Sequence, residues 1–207
     1  MIFNEENREI LETLLQWRRD VRHFRPGAIP ETQVETLRRA MDYAPSVGNA
    51  RPWRVIRVED AALRQAVREN FAAANESAAS IYDSDRRAAY AKLKLEGLEI
   101  APLHLAIFTD LSPAAGHGLG RQTMQDTLIQ STAMAIHGLW LTARALNLGL
   151  GMVSILDPAE IETLLQTPPD WRFTAYLCIG HPAAHDDTPL LHRTGWQENS
   201  DTAWHTR

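Results

Sequence analysis

A single cysteine in 207 residues, Cys178, excludes an internal disulfide framework and any cysteine-rich zinc site. It stands in the apolar run Ala175-Tyr176-Leu177-Cys178-Ile179-Gly180, the setting of a buried structural thiol rather than a nucleophile. Basic excess is also missing. The formal net charge of -5 argues against a general nucleic-acid surface, although a small local basic site remains compatible with it. No apolar stretch approaches the roughly 20 residues of a membrane span, and the polar, acidic N-terminus lacks a signal pattern, so no membrane association is expected. A soluble, cytoplasmic protein is the expectation. There is no P-loop, no Gly-x-Gly-x-x-Gly and no Gly-x-Ser-x-Gly elbow. Gly116-His117-Gly118-Leu119-Gly120 reads as a surface loop. Among His117, His181, His185 and His192 only His181 and His185 are four apart, and Pro182 interrupts a helical face, so no metal site is expected.

What is present describes one domain over residues 1–207, long enough for a sizeable core. Ile10, Leu11, Leu14, Leu15 and Trp17 fall on one face of a helix over 5–17, and a second helix is expected over 31–43. Trp53 to Val58 alternates as a strand, and Asp60 caps a helix through Leu63, Val67 and Phe71. Residues 72–90 read as helix plus a polar surface excursion, a candidate lid. Leu103 to Thr109 is a buried strand in which His104 is a satisfied core histidine. The segment Asp126 to Leu146 is an apolar central helix carrying Ile129, Ala133, Ile136, Leu139, Trp140 and Ala143. Its small residues suit packing on all sides or a surface shared between subunits. Gly149 and Gly151 are read as ending it, before a strand Met152 to Leu156, a helix from Asp157-Pro158, and a last strand Phe173 to Ile179. Helices outnumber strands, and the expected fold is an α+β sandwich around that helix.

The chemistry concentrates at a few places. Arg18-Arg19-Asp20-Val21-Arg22 puts guanidinium forks and one carboxylate just behind the first helix, a grip for an anion. Ala44-Pro45-Ser46-Val47-Gly48-Asn49 is a turn-rich link whose amides could bond a flat polar ring. Trp53 after it is a lid or core. Leu93-Lys94-Leu95-Glu96-Gly97, Leu139 to Ala145, and Gly149-Leu150-Gly151-Met152-Val153-Ser154 follow in order.

This order, from about residue 10 to Trp196, resembles the nitroreductase-like flavoproteins, and within them the 5,6-dimethylbenzimidazole synthase branch. The resemblance implies a homodimeric nitroreductase-like sandwich with FMN bound at the subunit interface. Arg18, Arg19 and Arg22 would hold the phosphate and ribityl chain. Pro45, Ser46, Val47, Gly48 and Asn49 would approach the ring from the other subunit, with Lys94 and Val153 as further FMN contacts. In that branch reduced FMN is itself the substrate, molecular oxygen the co-substrate, and a flavin reductase or NAD(P)H the electron source. The functional pair of the branch maps onto Asp20 and Ser154. Asp20 is then an acid/base on the flavin, or a salt bridge ordering Arg19 or Arg22. Ser154 hydrogen-bonds near the reactive edge of the ring, or bonds backbone. The chain departs from the branch at Arg51, at Met152, and at Gln197-Glu198-Asn199, so a second phosphate clamp is either missing or supplied by Arg121 or Arg193. An NAD(P)H-dependent FMN oxidoreductase and a non-catalytic flavin-binding protein are the alternatives.

Overall fold

The computed structural model describes residues 1–93 and 97–207. Asn4 opens helix α1 (Glu5–Trp17) with a reciprocal cap, its side chain accepting from the Asn7 amide while Asn7 accepts from the Asn4 amide. Strand β1 (Phe24–Arg25), helix α2 (Glu31–Asp42) and strand β2 (Trp53–Arg57) follow. The Asp60 carboxylate takes the amides of Ala62 and Leu63 and starts α3 (Ala61–Ala79). Next come α4 (Ser84–Tyr90), β3 (Leu103–Asp110), α5 (Thr127–Ala145), β4 (Gly149–Val153), α6 (Pro158–Leu164), β5 (Trp171–Pro182) and α7 (Leu190–Arg193).

The strands make one antiparallel sheet organised around β5. β3 runs beside it from Leu103 opposite Ile179 to Asp110 opposite Trp171, and β2 pairs with β3. β4 pairs with β5 from Gly149 opposite Gly180 to Val153 opposite Tyr176, and β1 meets the last two residues of β5. Every residue of β3 except Asp110 is buried, which requires cover on both faces of the sheet. Leu103, Leu105 and Ile107 pack with Leu37 of α2 and Leu139 of α5. Ala106 and Phe108 point the other way, toward Val67 of α3 and Ile161 of α6. The fold is therefore α+β, a sheet held between two helical layers. His104 is a satisfied core residue, with Nδ1 3.0 Å from the Tyr176 hydroxyl and Nε2 3.0 Å from the Ala101 carbonyl. Cys178 is fully buried, and Trp53 packs against the core.

The central helix α5 buries Leu128, Ala135, Ile136, Leu139 and Ala143 on one side only. Ala133, expected within the apolar stripe, is exposed with Met134 on the opposite side. α1 buries no residue, and its Ile10, Leu11, Leu15 and Trp17 are all exposed. Among the described residues no helix is long and apolar enough to cross a membrane.

Some boundaries move from their expected places. Gly149 and Gly151 lie inside β4 rather than ending α5, which stops at Ala145, and Asn147 at φ 58° turns the chain. The strand expected over Met152–Leu156 thus begins at Gly149 and ends at Val153. Glycine is required there because a β-carbon on Gly151 would overlap the Val21 carbonyl, and one on Gly149 the Val21 side chain. β5 exceeds its expected span at both ends, and its extra C-terminal residues pair with β1, an unanticipated strand. The excursion over 72–90 is mostly helical. Its Tyr82 and Tyr90 rings cluster with Trp196, centroids 5.5 and 6.1 Å away, and Arg86 lies 4.9 Å from the Trp196 ring. The candidate lid is therefore latched to the C-terminal segment.

Candidate active site

The segment behind α1 crosses the edge of β4. The Arg18 amide bonds the Leu14 carbonyl and closes the helix, and the Val21 amide donates to the Leu150 carbonyl at 3.0 Å. Asp20 forms a parallel bridge with Leu150. Its carboxylate is held from two sides: Oδ1 accepts the Met152 amide at 2.9 Å, and Oδ2 accepts from Arg22 Nε at 2.6 Å. Of the pairings read for Asp20, the one with Arg22 is made and the one with Arg19 is not. Arg19 turns back and donates through Nη2 to the Leu15 and Gln16 carbonyls, satisfying the end of α1. Arg18 lies over the Trp140 ring at 4.6 Å from its centroid. Burial, and then Arg19 beside it, pull the Arg18 guanidinium below its ordinary pKa, with Asp20 acting in the opposite sense. Trp140 Nε1 donates to the Arg19 carbonyl at 3.3 Å, which fixes the ring under Arg18.

Arg18, Arg19, Asp20, Arg22 and Trp140 line one cleft of about 220 Å³ together with Arg144, His185, Asp186 and Arg193. Arg144 Nη1 donates to His185 Nδ1 at 2.7 Å, and Arg193 pairs with Asp186 at 2.7 Å. Five arginines and two aspartates, Asp20 and Asp186, thus line the cleft along with the apolar Leu148, Leu150 and Trp140. That donor set fits a ligand with a flat apolar body and an anionic tail such as FMN. Arg193, one of two residues considered for a second clamp, is on the cleft, whereas Arg121 is not among its lining residues. Arg144 and His185 were missed as a pair. The only local signal for them was the four-residue spacing of Trp140 and Arg144, which puts both on one face of α5. His185 had been weighed as a metal ligand only.

Ser154 follows β4 directly and is exposed, two residues from the amide that Asp20 holds. Its hydroxyl makes no hydrogen bond to the described residues, so the backbone-bonded alternative is not the one adopted. Val153 points the other way, into the core, leaving its backbone alone available to a ligand. The link Pro45 to Asn49 does not reach this cleft within the same chain. Its Val47 amide donates to Ser131 Oγ at 3.0 Å, and Ser46 Oγ accepts the Arg51 amide at 3.0 Å. Ser131 and Trp140 are about 14 Å apart along α5 at 1.5 Å per residue. Gly48, Asn49 and Arg51 have φ of 55°, 54° and 46°, a run of left-handed conformations that costs strain at the two non-glycine positions. Beside the link is an apolar hollow of about 550 Å³ bordered by Tyr43, Pro45, Ala133 and Met134. Lys94 lies outside the described residues.

Residues 15–181 match the family model described as the Nitroreductase family. Over 207 residues the chain is 62% identical to the 5,6-dimethylbenzimidazole synthase of Rhodobacter capsulatus, with 100% of both chains covered. It is 50% identical over 196 residues to the protein of the same name from Rhodospirillum rubrum, covering 95% of this chain and 93% of that one. Among solved structures, oxidized iodotyrosine deiodinase bound to FMN and 3-iodo-L-tyrosine matches with a TM-score of 0.73 at 21% identity, covering 95% of this chain and 97% of that one. A BluB-like flavoprotein from Clostridium difficile 630 matches with a TM-score of 0.65 at 16% identity, covering 95% and 94%. At such identities these two structures speak for the fold alone.

Proposed function

The chain belongs to the nitroreductase family, and on that premise we propose that it is a 5,6-dimethylbenzimidazole synthase, converting reduced FMN with molecular oxygen into the lower ligand of vitamin B12. The observation that carries this reading is the full-length identity to synthases together with the interlock by which Asp20 ties Arg22, on the basic cleft, to the Met152 amide.

Reduced flavin supplies the electrons for oxygen chemistry without a metal. The protein's part is to hold, orient, shield and move protons. The guanidinium groups of the cleft hold the anionic tail, and Asp20 ties the segment that carries Arg18 and Arg22 to β4. Asp20 is also the acid/base group, a role worth about 10²–10⁴ in rate. The Ser154 hydroxyl, two residues beyond the amide that Asp20 holds, can both donate and accept, and in this reading it acts at the ring. The α3–α4 excursion returns at Gly97, packed on Phe24 and near the Arg22 carbonyl, so it is placed to shield the site from water.

The active form in this reading is a homodimer. One cleft is smaller than the roughly 300–1,000 Å³ of enclosed ligand pockets, so a single chain encloses only part of a flavin. The Pro45–Asn49 link lies beside exposed apolar surface on α5, and a second copy docked there would deliver its own link to the first copy's cleft. A flavin reductase, or NAD(P)H directly, supplies the electrons.

The reading is tested by repeated reduction of protein-bound FMN with NAD(P)H in air. Protein-dependent loss of the yellow colour that reoxidation in air does not restore supports it. Flavin that stays yellow through many turnovers would instead identify an NAD(P)H-dependent oxidoreductase that recycles its cofactor.

A further inference from the structure

The glycine-rich segment Gly116 to Gly120 is not part of the basic cleft. It forms a 3-10 turn over Ala115–Gly118 that stands back to back with the Pro45–Asn49 link. A β-carbon on Gly116 would lie 2.9 Å from the Gly48 carbonyl oxygen and 3.0 Å from the Ala50 side chain. One on Gly48 would lie 3.0 Å from the Gly116 carbonyl oxygen and 3.1 Å from that of Leu119. The two backbones touch at a spacing that only glycine permits. Helix α5 supplies a second hold. Ser131 is buried, and its Oγ donates to the Thr127 carbonyl at 2.6 Å while accepting the Val47 amide at 3.0 Å. Farther along, Arg54 Nη1 donates to the Arg51 carbonyl at 3.0 Å, and Asp110 fixes Arg54 at 2.7 Å. The link is thus fastened from outside at Val47, Gly48 and Arg51, around the left-handed residues Asn49 and Arg51. Strain of that kind persists where the surroundings over-determine it, and it collects at sites that clamp a ligand.

We propose that Ser131 and Gly116 are positioning residues for the flavin ring. They hold the link from two sides in one left-handed form, so that it meets the ring at a fixed distance and angle. This rests on the reading above, in which the link of one copy reaches the flavin bound by another. Neither residue touches the flavin. The Ser131 hydroxyl is committed to the Thr127 carbonyl and the Val47 amide, and Gly116 acts by the space it leaves. Their effect falls on rate more than on affinity, because the arginines of the cleft hold the tail while the link orients the reacting ring.

The test is Ser131→Ala and Gly116→Ala in the full-length protein, with Gly118→Ala as the control from the same loop. Amide hydrogen exchange over residues 45–50 should rise in both test variants. FMN affinity should change by less than about threefold, while product formation at saturating FMN falls about 10- to 100-fold and the visible absorption band of bound flavin shifts. Gly118→Ala, with nothing within 4 Å of its new β-carbon, should leave exchange, spectrum and rate as they are. If Gly116→Ala does not fold, Ser131→Ala decides alone. Unchanged exchange, or an unchanged spectrum and rate, overturns the proposal. So does a loss confined to stability and affinity, which marks a merely structural role. Should the unaltered protein bind FMN but recycle it, the synthase reading fails by itself, and the spectrum of bound flavin still decides the positioning role. Should it bind no flavin, both fall.

Discussion

Asp20 Oδ1 accepts the Met152 amide at 2.9 Å, joining the arginine-rich segment to β4 across 132 positions of chain. The same carboxylate holds Arg22 through its other oxygen. A side chain with two such attachments can be separated into a structural and a chemical contribution.

In Asp20→Asn an oxygen remains for the Met152 amide while the negative charge is removed. FMN should bind within about threefold of the unaltered protein, and dimethylbenzimidazole formation should fall by about 10² or more. Chromatographic product assay beside a fluorescence titration reads both. Asp20→Ala should lose product and also about 1–3 kcal/mol of stability, because it removes the acceptor of the Met152 amide and the carboxylate that Arg22 Nε donates to. Product at the ordinary rate from Asp20→Asn would reduce Asp20 to a structural clip.

Ser154 is exposed and bonds nothing in the described chain, so Ser154→Gly should leave the thermal midpoint almost unmoved, within about 0.5 kcal/mol. Dimethylbenzimidazole formation should nevertheless be abolished with FMN still bound. A proportionate loss of stability and activity would point to folding instead of chemistry.

Gly151→Ala forces a β-carbon into the Val21 carbonyl, and the two backbones must part. A cost of about 2 kcal/mol or more is expected, with a midpoint lowered by roughly 2–4 °C per kcal/mol for a chain of this size. FMN affinity should fall with it, since the displaced segment carries Arg18 and Arg22. Gly118→Ala is the control. Its φ is 79° but nothing lies within 4 Å, so only backbone strain of about 1 kcal/mol applies and flavin binding should survive.

His104 sets a pH dependence of stability. Burial, with Arg64 and Arg68 nearby, lowers its pKa from 6.5 to about 4 in the folded chain. An unfolded chain takes up the proton first, so stability is full above about pH 6.5, declines as pH falls toward 4, and levels off below. The loss over that window is about 3 kcal/mol from this one group. Urea unfolding across pH 4 to 7.5 measures it, and a His104→Asn variant, lower in stability throughout, should show a correspondingly flatter profile.

Most elements were legible because their signals are local. The stripe of Leu37, Ala40 and Met41, the Asp60 cap, and the alternation of Trp53 to Val58 each depend on neighbours within a turn or two. Gly149 was misread because a glycine after a helix signals its end just as well as it signals a crowded strand. What decides between those is Val21, far away in sequence. The same distance hid the Asp20–Met152 bond. RRDVR showed a grip but not how its members divide, since Arg19 is diverted by the helix end and Arg22 by Asp20. His185 reaches the cleft just past the C-terminal extension of β5 that pairs with β1, which no local pattern announced.

The central claim is that flavin is consumed rather than recycled. FMN is reduced by a flavin reductase and NADH, the protein and oxygen are supplied, and FMN lost is compared with 5,6-dimethylbenzimidazole formed by liquid chromatography and mass spectrometry. Equimolar disappearance and appearance, dependent on Asp20 and Ser154, is the predicted result. FMN recovered intact after reoxidation, with no dimethylbenzimidazole, would contradict it.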